Sequence, residues 1–167
     1  MYPNEPTGFR GIPWGTDISE RADMVPRNRI KTEHFFYVRK GEQMEFGGAH
    51  VRIIGYRTYD HRLDGGIVDL VGKENQAALM KTLEGRYGTA PARLPGRRDW
   101  GFGDETSISY LWDGKTTRIY VTCTEHHECS ILMGAMDMLR KEKRLGVRLA
   151  KGIPPICQKQ QSPAHKK

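Results

Sequence analysis

The sequence predicts an α+β fold: an antiparallel sheet of about six to seven strands, with two main helices, about 74–87 and 126–145, on one face. Three observations predict it. Strand-like runs come in groups, the links within each group are too short for parallel crossovers, and a helical apolar period follows each group.

The chain has 167 residues, the length of one domain. It divides into an irregular segment over 1–15, a single domain over 16–151 and a flexible basic tail over 152–167. The first segment carries Pro3, Pro6 and Pro13, which favour extended or turning backbone. "WGTDISERADM" predicts a short helix with Thr16 or Asp17 as N-cap and Glu20 completing a capping box, ended by Pro26. "EHFFYVR" (33–39) is aromatic and β-branched and predicts a strand. Over 44–60 the residues alternate, with Val51, Ile53, Gly55 and Arg57 on one side and Arg52, Ile54, Tyr56 and Thr58 on the other. A turn at Asp60-His61 leads into the run at 63–72, which completes a meander of three or four strands.

The first helix places Leu79, Leu83 and Tyr87 at i, i+4 and i+8, with Glu74 in its first turn, Arg86 in its last and Gly88 beyond its end. "DWGFG", "TSISYLWD" and "TTRIYVTC" predict three further strands, with Asp113-Gly114 as a hairpin signal. "HHECSILMGAMDMLRKEKRLG" predicts the second helix, with Leu132, Met136 and Leu139 on one face and Thr122 or Thr124 as N-cap.

The net charge of +7 is unevenly spread. Residues 140–167 hold nine Lys or Arg against Glu142, which leaves the remainder of the chain close to neutral. Arg93, Arg97 and Arg98, and then Arg140, Lys141, Lys143 and Arg144, are the candidate contact residues, because clustered cations attract acidic partners.

"CTEHHEC" (123–129) is the densest chemistry in the chain. Cys123, Cys129 and Cys157 are disulfide candidates, with the pairing open. Cys123, His127 and Cys129 form an alternative metal set, since thiolate and imidazole suit zinc. Adjacent histidines on a helix diverge by ~100°, and the paired Cys-x-x-Cys spacing is absent, so no metal is favoured and no cofactor is called for. In the third reading, both cysteines pack in the interior and the histidines and glutamates are solvated. The G-x-G-x-x-G phosphate fingerprint and the H-E-x-x-H metalloprotease motif are absent, so no catalytic residue is assigned.

"GFRGIPWGTDIS" (8–19), "YRTYDHRLDGGIVDL" (56–70), "LEGRYG" (83–88) and "DWGFGDETSISY" (99–110) resemble small exported bacterial proteins of uncharacterised function, which begin with an aromatic-Arg-Gly-Ile…Trp-Gly-Thr motif. A looser resemblance links the start to lipoprotein domains of the beta-lactamase-inhibitor-like class, without their repeated helix pair. The first resemblance implies a periplasmic location, with any leader removed ahead of "YPNEPTG", and brings no catalytic residues. The expectation is a non-enzymatic exported binding or structural module whose partner is another protein or an envelope component. The alternative is a cytoplasmic nucleic-acid-binding protein using the basic C-terminal end. A second alternative is a metal-dependent hydrolase with its site at 123–129.

Overall fold

The computed structural model of the protein describes residues 2–31, 33–90, 92–95 and 106–136, with 30, 31 and 92–95 as backbone only. The strands are β1 (Gly8–Phe9), β2 (Ile12–Pro13), β3 (Met24–Lys31), β4 (His34–Arg39), β5 (Glu45–Phe46), β6 (Ala49–His50), β7 (Ile53–Tyr59), β8 (Arg62–Val71), β9 (Ala92–Pro95), β10 (Ile108–Asp113), β11 (Thr117–Cys123) and β12 (Glu128–Ala135). Helix α1 (Lys73–Tyr87) separates β8 from β9.

The main sheet is antiparallel throughout, with eight strands in the order β3-β4-β7-β8-β12-β11-β10-β9. Seven of these have six residues or more and β9 has four. Two meanders, one before α1 and one after it, meet where their last strands, β8 and β12, pair at the centre. β1-β2 and β5-β6 are separate two-stranded ribbons.

Register explains the core. Ile54, Val68, Ile131, Val121 and Tyr110 lie opposite one another across five strands. The neighbouring row on the same face is Tyr56, Gly66, Met133, Ile119 and Trp112. Leu79, Leu83 and Tyr87, one stripe of α1, join the same core cluster. The second row has a gap at Gly66, and Phe9 fills it: a Cβ there would lie 2.4 Å from the Phe9 ring. On the opposite face the Phe36 ring crosses Gly55 in the same way. Beside it Arg57 and Asp64 form a fully buried bidentate pair, Nε–Oδ1 3.1 Å and Nη2–Oδ2 2.9 Å.

Two expectations are overturned. The second helix is a strand over 128–135, the central β12; residues 137–145 lie outside the described residues. A central strand is apolar on both faces, so its run of Cys129, Ile131, Leu132 and Met133 mimics a buried helix segment. Its true period is two, with Cys129, Ile131 and Met133 buried against the core cluster. The "WGTDISERADM" helix is absent as well. Thr16 Oγ1 donates to the Pro13 carbonyl, and Asp17 accepts from Ser19 only two residues on, a local turn in place of a helix cap. Pro26 lies inside the edge strand β3, where a missing N–H costs no ladder bond. The first fifteen residues, expected to be irregular, contain the β1-β2 ribbon and bury Tyr2, Phe9 and Ile12 in the core.

Candidate functional site

The N-terminal segment crosses the α1 side of the sheet and is fixed at both ends by charge. At one end Glu5 reaches the turn between β10 and β11. Lys115 N–H donates to Oε1 at 2.9 Å, while Thr116 N–H (2.8 Å), Thr116 Oγ1 (2.7 Å) and Thr117 N–H (3.3 Å) donate to Oε2. Desolvation would raise the Glu5 pKa, but the bonds from Thr116, and then from Lys115 and Thr117, outweigh it and hold the carboxyl at about 2. Tyr2 donates to the Thr117 carbonyl and Trp14 Nε1 to Thr117 Oγ1, both at 2.8 Å. Burial, with Glu5 close by, pushes the Tyr2 phenol up, so it stays a donor.

At the other end Arg10 and Gly11, with φ of 48° and 80°, form the two-residue tip between β1 and β2, both left-handed as a type I′ turn requires. From that tip the Arg10 guanidinium donates to Glu42 Oε1 (2.9 Å), the Glu45 carbonyl (2.9 Å) and the Gln43 carbonyl (3.2 Å). The other oxygen of Glu42 accepts from Tyr56. Burial, and then the Glu42 carboxylate, push the Tyr56 phenol up to about 12, so at neutral pH it is a proton donor and no base. Asp23, bonded by Arg21 and Arg39 on the same side, is held at about 2, by the Arg21 hydrogen bond first.

Between these two clamps, α1 and the loop at 43–47 lies an open groove of about 710 Å³. Phe9, Leu83, Tyr87 and Met133 give it an apolar floor, and Asn4, Gln43, Glu45 and Arg86 a polar rim. Among the described residues, the side chains of Gln43, Glu45 and Arg86 have no hydrogen-bond partner. The floor residues are almost fully buried and the groove exposes more polar than apolar surface, so it suits a polar ligand with groups to meet Gln43, Glu45 and Arg86.

No model of a known protein family and no curated protein matches the chain.

Cys123 and Cys129 face each other across β11 and β12 and are joined as a disulfide, Cα–Cα 4.1 Å. Both are buried in the core. The four residues between the two strands, 124–127, turn the chain, with His127 left-handed at φ 58°. Thr124, expected as a helix cap, instead accepts from Glu128 N–H within this hairpin. The proposed metal trio is not assembled: its sulfurs are bonded to each other and His127 Nδ1 is 2.7 Å from Gln76 Oε1 on α1. Among the described residues, no group of three His, Cys, Asp or Glu is arranged to hold a metal. Arg93 lies on β9, and its side chain is outside the described part. Arg97, Arg98, Arg140, Lys141, Lys143, Arg144 and Cys157 lie outside the described residues.

Sequence reading missed the groove, whose walls come from three separated stretches. A Gly-Lys-Ser/Thr triplet, read as absent from the sequence, is present at Gly114-Lys115-Thr116, but Ser109 stands where a phosphate loop has its first glycine and the turn joins two strands.

Proposed function

We propose that the protein is a non-enzymatic binding module of an oxidising compartment outside the cytoplasm, with the groove between the N-terminal segment and α1 as its contact site. The observation that carries this is the groove itself, with Gln43, Glu45 and Arg86 unengaged above an apolar floor. Its nearby ionisable groups suit recognition better than proton transfer. Glu5 is held ionised and Tyr56 is held neutral, each far from the pKa near 7 that general acid–base chemistry favours. The Cys123–Cys129 disulfide supports the oxidising compartment, as such bonds persist in exported proteins and are rare in the cytosol. Among the described residues, no helix is long and apolar enough to cross a membrane. The partner in this reading is another protein or an envelope component.

Site-specific photo-crosslinking tests it. A crosslinker at Arg86, on the groove rim, is compared with one at Lys81, an exposed residue of α1 outside the groove lining, in envelope and cytosolic fractions of the producing cell. Discrete adducts from position 86 in the envelope fraction, absent from position 81, are the expected result. Adducts from neither position, or equally from both, remove the groove as the contact site.

A further inference from the structure

We propose that the β10-β11 turn is a phosphate-binding site, and that Glu5 is its built-in occupant, displaced when a phosphate group binds. The inference is independent of the groove reading and stands on the geometry of the turn. Four donors from three successive residues, 115 to 117, converge on one carboxylate, and successive backbone N–H groups of this kind form an anion-binding nest. Gly114 leaves the cradle open: a Cβ there would lie 2.5 Å from the Glu5 carboxyl carbon, within the space the anion occupies. Lys115 is exposed, and among the described residues its ammonium has no ion-pair partner.

This donor set fills the roughly four acceptor sites of the Glu5 carboxylate, so an anion that enters the turn must take its place. A phosphate brings three acceptor oxygens and a charge of about −1.5 to −2 at neutral pH, against two oxygens and a single charge for Glu5. It can take the same four donors with more charge and gives the Lys115 ammonium a partner. Glu5 competes at high local concentration, so the apparent affinity of the wild type is lowered by the fraction of time the turn is vacant. Asn4, Glu5 and Pro6 also line the groove, so displacement of Glu5 loosens one groove wall.

The test is a titration of the full chain, following the backbone amide resonances of Lys115, Thr116 and Thr117. Inorganic phosphate and glycerol phosphate are added separately at constant ionic strength, with chloride as control. Saturable shifts at these amides are expected in the wild type. In Glu5→Gln they should saturate at about ten-fold lower phosphate, and adding Thr116→Val should reverse that gain by about ten-fold. Tighter binding of glycerol phosphate identifies a phosphorylated molecule as the ligand, whereas binding of inorganic phosphate alone identifies the free ion. Should Glu5→Gln fail to fold, the wild type decides: saturable shifts weakened by Lys115→Gln sustain the site. Equal shifts with chloride, or none at about 0.1 M phosphate in either protein, overturn it and leave the turn as a structural anchor.

Discussion

Replacing Gly66 by alanine puts a methyl group where Phe9 already sits. The added carbon would lie 2.4–2.5 Å from three atoms of the Phe9 ring, against the ~3.5–4.0 Å of an ordinary carbon contact. The ring must therefore retreat by roughly 1 Å. It has little room to do so: Phe9 is buried, with the Tyr56 ring 5.3 Å away and Phe46 at 6.1 Å. Forced overpacking of this kind costs about 1–3 kcal/mol. In a chain of this length each 1 kcal/mol lowers the thermal midpoint by about 2–4 °C. Phe9→Ala alone, which leaves a cavity, should cost about 3–5 kcal/mol. In the double variant the new methyl enters that cavity, so the two losses should fall short of their sum by more than 1 kcal/mol, where independent sites add to within about 0.5. Guanidinium unfolding of the four proteins, followed by tryptophan fluorescence, measures the cycle. Additive losses would refute the claim that the N-terminal ribbon completes the sheet's core row.

Three further outcomes follow from other contacts. Reducing the Cys123–Cys129 bond, which closes a loop with a sequence separation of 6, should lower stability by about 2 kcal/mol in the loop-entropy model, read as a shift in the denaturant midpoint with and without reductant. Intact mass should rise by two hydrogens per molecule on reduction. Asp64→Ala removes the bidentate partner of the buried Arg57 guanidinium and should cost about 3–5 kcal/mol, whereas replacing both members with apolar residues of similar size should recover most of the loss. Because the Glu5 pKa is lowered from 4.5 to about 2, its stabilisation is fully present above pH 4.5 and is lost as pH falls through 2. Glu5 is partly exposed, so solvent screening reduces the effect to about 1 kcal/mol. Glu5→Gln should flatten that acid limb of the stability curve, and an unchanged limb would show that the turn does not hold the charge.

The first meander and α1 were legible because their signals are local. Short turns fix antiparallel pairing, and Leu79, Leu83 and Tyr87 fix one helical stripe. β12 was misread because Ile131, Leu132 and Met133 are apolar whichever element they form, and only pairing with Val68, Ile67 and Gly66 decides between them. The N-terminal helix was misread because Thr16 and Asp17 can cap a helix or close a turn. The ladder between Leu63 and Thr16, and the bridge from Asp17 to Arg62, select the turn from far along the chain. The disulfide was named among the candidates, yet its reach depends on Cys123 and Cys129 facing each other in register. The groove was invisible for the same reason, since Phe9, Gln43 and Arg86 have no sequence pattern in common.

The pairing of β8 with β12 has a consequence for how the chain is made. Val68 waits for Ile131, about sixty residues later, before its strand has a second neighbour. A ribosome that has released the first meander and α1 has therefore released a sheet with one raw, apolar edge. That edge stays open while β9, β10 and β11 emerge, and the second meander must arrive end first to close it. Long-range pairings of this kind are slow to form and are exposed to misassociation while they wait. Closing that edge is then the step of folding most exposed to misassociation.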